Sequence, residues 1–316
     1  MNQRQPSGEF ELIDWIRARS RASGRTILGI GDDCAVLRFT PGAETLVTTD
    51  MLMDGRHFRL DQHGPEAVGF KALAVNLSDI AAMAGLPVAA VVSVALPREG
   101  TVAVAQGLHA GMVPLAERFG VDLVGGDTNA WDGPLVISVT LLGEATPRGP
   151  VRRAGAQPGD VILVTGPLGG SLRGRHLRPE PRIAEAMALH ATAPIHAMID
   201  ISDGLASDLG HILEESGRLG AILDPAAIPI HPDAQSSSID DGRSPLDHAL
   251  NDGEDFELCL VVPPDAAASL TRAIPPPARL HRIGVVSGRP GLWLGSADGS
   301  YSPLAPRGFD HFHTGL

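Results

Sequence analysis

The sequence predicts two α+β domains, each a mixed sheet with helices packed on it. Three observations point there. The chain has 316 residues, long enough for two domains of ordinary size. Apolar strand patterns and helical patterns alternate through both halves, and the first half also has consecutive strands, which favours mixed sheets with helices on one face. A stretch rich in Gly, Pro and Arg, Pro147 to Pro158, interrupts the pattern and divides the chain into 1–146 and 147–316.

In order, Glu9 to Ala22 has the spacing of an amphipathic helix, with Phe10, Ile13 and Ile16 on one face. Strands are expected at Cys34–Phe39 and Thr45–Thr49, joined by a Pro41-Gly42 turn. Pro65 to Ala84 reads as a long helix of small residues, opened by Pro65 and stopped by Gly85. Lys71, Val75 and Asp79 fall along one of its faces. Val88–Leu96 is an apolar run typical of a buried strand, and Val102–Phe119 is a second helix. Val121–Val124 is a short strand that opens onto Gly125-Gly126-Asp127-Thr128-Asn129, and Leu135–Leu142 follows as another.

The second half restarts at strand Val161–Thr165, which leads into Gly166–Ser171. A helix over Arg182–His190 and a strand at Ala197–Ile199 lead to Asp200-Ile201-Ser202-Asp203-Gly204. The next helix carries Leu205, Leu209, Ile212 and Leu213 at helical spacing. Strand Ala221–Leu223, a loop and a helix over Pro245–Leu250 precede Asn251–Asp255 and strand Phe256–Val262. Short strands at Arg282–Val286 and Leu292–Leu294 complete the pattern.

Composition narrows the function. The formal charge is −12, from 25 basic and 37 acidic residues, with no basic run, so a nucleic-acid partner is not expected. Cys34 and Cys259 are far apart and form no metal or redox motif, as in a reduced, cytoplasmic protein. No signal peptide and no membrane-length apolar run are visible. An acidic protein acting on anions needs cations as intermediaries.

The acids recur in one local setting: a strand, then Gly or Ser/Thr with Asp, then a turn or helix. Asp32/Asp33, Asp50, Asp127 and Asp200/Asp203 follow it, with Asp79 on a helix. Singly, each has a structural explanation: Asp-Gly pairs form turns, and Asp200 to Asp203 could cap the next helix. Together, carboxylates gathered in one cleft repel unless cations lie among them, and Mg²⁺ takes carboxylate, phosphate and water oxygens. Gly29-Ile30-Gly31 lacks the third glycine of a dinucleotide fingerprint, and Gly166–Ser171 lacks the ending of a P-loop. Protein-kinase signatures and a nucleophile–base set are absent. Arg153 serves equally as a phosphate contact or a solvated linker residue, His57 as a substrate contact or a surface histidine, and Glu254 as a contact to a cationic ligand or a turn residue.

Seven segments in order, GIGDDCAVL, VTTDMLMDGRHF, KALAVNLSDIAAMAG, LVGGDT, RRAGAQPGD, IDISDGLASDLGHI and DGEDFELC, carry a wider resemblance. Together they resemble the thiamine-monophosphate kinases, within the aminoimidazole-ribonucleotide-synthetase-like ATP-binding superfamily. The resemblance covers Glu9 to about Phe312. It implies ATP-dependent phosphorylation of thiamine monophosphate to thiamine diphosphate, with ATP as co-substrate and Mg²⁺ as cofactor. It also implies a homodimer in which the N-terminal sheets pair. Carried over by motif, Asp33, Thr48, Thr49, Asp50, Asp79, Asp127, Asp200 and Asp203 would hold Mg²⁺. Gly126, Asp127, Arg153 and Ser202 would contact ATP, and His57, Glu254 and Phe309 the thiamine phosphate. Asn129 replaces the second Thr that often follows GGDT, and Thr165 to Arg182 is short because a helix usual there is missing.

The chemistry fits. The acceptor is itself a phosphate, with a second pKa of about 6, so it is largely ionised at neutral pH and no catalytic base is expected. The task is to bring two polyanions into line. Alternatives are a related enzyme that phosphorylates another small molecule, a metal or nucleotide sensor without catalysis, and a metal-dependent phosphatase.

Overall fold

A computed structural model describes residues 8–20, 22–305 and 307. The chain forms two compact units, Met1–Ile80 with Leu86–Pro147, and Ala81–Gly85 with Arg148–Leu316.

The first unit contains α1 (Glu9–Arg17), β1 (Thr26–Leu28), β2 (Val36–Leu37), β3 (Thr45–Met53), α2 (Leu60–Ala82), β4 (Leu86–Pro97), α3 (Thr101–Phe119), β5 (Asp122–Trp131) and β6 (Val136–Glu144). Helix α1 is shorter than its pattern, and its buried residue is Leu12, whereas Phe10 is 81% exposed. Four strands form one sheet in the order β3-β6-β4-β5, antiparallel except for the parallel pair β4–β5. On β3, Leu46 and Leu52 are buried while Val47 and Met51 are exposed, as alternation requires of a sheet with one covered face. Helix α2 lies on the covered face, with Ile80 against Gly143 of β6. It begins five residues before Pro65 and kinks at Gly64, whose φ of 73° breaks the helical path.

Two strands run further than their hydropathy predicts, which moves the acids. β3 continues through Asp50 to Met53, so Asp50 is in mid-strand and not at an end. The polar inward residues Thr48 and Asp50 hide this alternation. β5 continues through Gly125-Gly126-Asp127 to Trp131, because its pairing with β4 extends to Trp131. Gly126 is required there, since a Cβ would run into the Val92 carbonyl. The β1–β2 ribbon, which carries Asp32 and Asp33 in its connection, is fastened by two buried acids. Asp122 accepts from Ser23 N–H (2.9 and 2.8 Å), Ser23 Oγ (2.6 Å) and Thr26 Oγ1 (2.5 Å). Glu144 accepts from Thr40 N–H (2.5 Å) and Thr40 Oγ1 (2.9 Å) and pairs with Arg25 (2.6 Å).

The second unit contains β7 (Val161–Val164), α4 (Ile183–Thr192), β8 (Ala197–Asp200), α5 (Leu205–Glu215), β9 (Gly220–Leu223), α6 (Pro232–Asp241), α7 (Pro245–Asn251), β10 (Leu258–Val262), α8 (Pro264–Ala273), β11 (His281–Ser287), β12 (Gly291–Gly295) and β13 (Tyr301–Leu304). Its sheet has the order β13-β12-β9-β11-β7-β10-β8, and only β12–β9 is parallel. Leu205, Leu209 and Ile212 of α5 share a core with Ile162, Ile199 and Cys259. The alternate residues Leu163, Met198 and Leu260 are equally buried, so both faces of these strands are covered, not one as expected. Helices α6 and α8 were not visible in the sequence pattern. PDAQSSSIDD is mostly polar, and its start is set by Pro232 and by His231 Nδ1 accepting from Asp233 N–H (3.1 Å). Between Thr165 and Arg182 there are two short 3₁₀ turns, Ser171–Arg173 and Arg175–Leu177.

Candidate active site

In the first unit, three of the predicted residues meet on the covered face of the sheet. Thr48 Oγ1 donates to Asp79 Oδ2, linking β3 to α2. Asp50, two residues along the same face, has its carboxyl pushed up to about 7 by burial and by the Asp79 carboxylate. Thr49 points to the opposite, open face, where its Oγ1 donates to the Val139 carbonyl (3.2 Å) and lies 3.0 Å from Thr140 Oγ1.

Asp127 also belongs to the open face. The pairing register sets Met51, Ser138, Ser93 and Asp127 in one row across all four strands. Asp127 is exposed and accepts from Asn129 Nδ2 (3.0 Å), so the asparagine in place of threonine still bonds this acid. Asp50 and Asp127 lie on the two outer strands, three strand spacings or about 14 Å apart. Oxygens on one Mg²⁺ lie about 2.1 Å from it, so these two acids of one chain do not share an ion.

Asp33 is exposed in the β1–β2 connection. Its N–H is capped by Asp32 Oδ1 (2.8 Å), which gives Asp32 a local task. His57 is half-buried in the turn before α2. Its Nδ1 accepts from Met53 N–H (3.0 Å), which in the neutral ring puts the proton on Nε2. Lys71, fully buried, donates from Nζ to the His57 carbonyl (2.7 Å).

In the second unit, Asp200 closes β8 and is 3% exposed, and Ser202 and Asp203 form the turn into α5. Asp208 was not singled out in the sequence. Its Oδ2 accepts the N–H groups of both Ser202 and Asp203, each at 3.0 Å. Burial first, then the Asp200 and Asp203 carboxylates, push its carboxyl up to about 8. Ligand atoms of Asp203, Asp208 and His211 all lie within 4.8 Å of one another. The only sequence signal for Asp208 was an acid in the first turn of a helix, which reads as a charge on the helix dipole.

Both acidic clusters suit a hard divalent cation. Each holds one carboxyl, Asp50 or Asp208, whose proton affinity is raised by burial and by its acidic neighbours, and a cation would relieve both. Arg153 is exposed at a bend beside β8, where the neighbouring Arg152 carbonyl accepts from Met198 N–H (2.9 Å).

Glu254 is half-buried and has a left-handed φ of 51°. Its N–H donates to the Ser202 carbonyl (2.7 Å), and Phe256 N–H donates to the Ile201 carbonyl (2.8 Å). The loop with Glu254 and the loop with Ser202 are thus bonded through their main chains. Gly253 permits this approach, since a Cβ there would press on the Ser202 carbonyl. Phe309 lies outside the described residues.

Comparison with known proteins defines the class first. Residues 31–145 match the N-terminal domain of AIR synthase related proteins, and residues 157–294 match their C-terminal domain. The thiamine-monophosphate kinase of Rhodopirellula baltica is 42% identical over 97% of this chain and 98% of its own length. The crystal structure of thiamine-monophosphate kinase from Stenotrophomonas maltophilia K279a superposes with a TM-score of 0.79 at 34% identity, covering 93% of this chain and 98% of that one. A structure of AaThiL complexed with AMPPCP and TMP gives 0.75 at 31% identity, over 96% and 97%. The chain belongs to the thiamine-monophosphate kinase family. Among the described residues no helix is long and apolar enough to cross a membrane.

Proposed function

We propose that the protein transfers the γ-phosphoryl group of ATP to thiamine monophosphate, forming thiamine diphosphate and ADP. The observation that carries this reading is the main-chain bond between Glu254 and Ser202, which joins a proposed acceptor contact to a proposed nucleotide contact in one rigid piece. The similarity to AaThiL complexed with AMPPCP and TMP supports both substrates.

Asp33, Thr48, Thr49, Asp50, Asp79, Asp127, Asp200 and Asp203 are the proposed Mg²⁺ ligands, and Asp208 joins them as the acid that shapes the Ser202–Asp203 turn. Bound Mg²⁺ supplies charge neutralisation for the phosphates in flight. Thr49 faces away from Thr48 and Asp50, so its ligand role is to an ion on the open side. Gly126, with no side chain, and Arg153, exposed and cationic, are the proposed ATP contacts beside Asp127 and Ser202. His57, fixed by Met53 and Lys71, and Glu254 receive the acceptor, and Phe309 is proposed to stack on it. The chain supplies no base, because the attacking phosphate oxygen is already ionised.

The exposed Val47 and Met51 support a homodimer paired through the open sheet face, which also carries Thr49 and Asp127. Wild-type protein is expected to sediment as a dimer, and the double variant Val47→Glu/Met51→Glu as a monomer. A monomeric wild type, or an unchanged dimer in the variant, overturns this pairing.

A coupled assay of ADP release across phosphate acceptors tests the reaction. Turnover with thiamine monophosphate is expected. Turnover with another small molecule and none with thiamine monophosphate overturns the substrate assignment, and nucleotide binding without any transfer favours a sensor.

A further inference from the structure

The stretch Asp252–Glu257 contains four acids, and three of them are engaged by the segment Thr165–Arg182. Asp252 Oδ2 accepts from Gly170 N–H (2.8 Å). Asp255, whose side chain is fully buried, accepts from Gly169 N–H (2.9 and 3.1 Å) and from Arg175 Nη2 (3.0 Å). Glu257 accepts from Arg182 Nε (2.9 Å) and Nη2 (2.5 Å) and from Thr165 Oγ1 (2.6 Å). Ser171 Oγ adds a bond to the Gly253 carbonyl (2.7 Å). The fourth acid is Glu254.

Arg175 holds a central place in this set. The same Nη2 that meets Asp255 donates to the Gly169 carbonyl (2.9 Å), and its Nε lies 3.8 Å from Asp233. It therefore ties both sides of the contact together from one guanidinium. Between the fastened residues the backbone is strained. Glu254 (φ 51°) and Phe256 (φ 52°) are both non-glycine residues in the left-handed region, at a cost of about 1–2 kcal/mol each. Such conformations persist only where the surroundings over-determine them, and the bonds at Gly253 and Asp255 supply that constraint.

We propose that Arg175 is a positioning residue for the phosphate acceptor, acting through Asp255 and Gly169 to hold Glu254 in its left-handed conformation. The proposal rests on the reading of Glu254 as an acceptor contact. It gives a task to the short Thr165–Arg182 segment. Although the two loops are bonded to each other, the nucleotide side has a second tether, because the Ser202 and Asp203 N–H groups are held by Asp208. Loss of Arg175 therefore loosens Glu254 more than Ser202.

The test is steady-state kinetics at pH 8 on Arg175→Met, Arg175→Lys and the double variant Arg175→Met/Asp255→Asn. The double variant leaves no buried charge without its partner and guards against simple unfolding. The expected result is a rise of about tenfold in KM for thiamine monophosphate, with KM for ATP within about twofold of wild type and partial recovery in Arg175→Lys. An unchanged acceptor KM in folded variants, or equal rises in both KM values, overturns the proposal. Amide exchange supplies a readout without substrate. In Arg175→Met, faster exchange at Glu254 and Phe256 than at Ser202 supports positioning, and unchanged exchange overturns it. If wild-type protein does not phosphorylate thiamine monophosphate, the proposed reaction fails by itself, and the exchange data still judge Arg175.

Discussion

Two acidic regions of this molecule look alike in sequence and differ in physics. Around Asp50, burial and the Asp79 carboxylate both act to raise the proton affinity. In Asp252–Glu257, burial again raises Asp255, to about 7, but Arg175 and the Gly169 N–H pull it back, and Glu257 is held by Arg182. The first region is destabilised by burial and by its own charges, both of which a cation would relieve. In the second, Asp252, Asp255 and Glu257 are tied by N–H groups and arginines and serve as scaffold. Acidity alone does not distinguish a ligand from a fastening; the nearest cation or N–H does.

The difference can be broken by mutation. The largest effect is expected from Asp50→Asn, which should lower kcat/KM about a thousandfold at saturating Mg²⁺. It should also leave the metal-free melting temperature unchanged or higher, because one of two repelling carboxylates is gone. Near-wild-type turnover would remove Asp50 from the metal set. Next comes Arg182→Met, which strands the nearly buried Glu257 and should cost about 3 kcal/mol in urea unfolding. A loss below about 1 kcal/mol there would show that the second region is not scaffold.

A smaller effect concerns pH. Without metal, Asp50 keeps its proton up to about pH 7 in the fold, whereas its ordinary value is 3.8. The stability from that proton is complete below about pH 4 and is lost as pH rises through 7. EDTA-treated wild type should therefore lose about 1 kcal/mol more than Asp50→Asn between pH 6 and 8.5, read from melting curves. Equal slopes would contradict the raised carboxyl. The smallest effect is a control, Asp132→Ala at the exposed Arg98–Asp132 pair (2.6 Å), expected to stay within about 0.5 kcal/mol of wild type.

The two-sheet α+β architecture was legible because core strands such as Val161–Val164 are continuous apolar runs. The family was legible because its motifs are ordered along nearly the whole chain. Other features were hidden for identifiable reasons. Polar inward residues masked the full length of β3, and sparse apolar content masked α6. The separation of Thr49 from Asp50 onto opposite faces follows from the period of two, once the strand is known to continue. Asp208 was invisible because it acts on backbone groups, and Arg175 because its partners are a backbone carbonyl and an acid far along the chain, neither of which leaves a sequence pattern.

Strand β3 has a further consequence. It is an outer strand of nine residues with Val47 and Met51 exposed, and it contains neither lysine nor proline. Natural edges are blunted by such residues, and a long bare edge recruits other strands without selectivity. Aggregation at high expression should therefore begin at β3. Solubility of this chain depends on how that edge is covered.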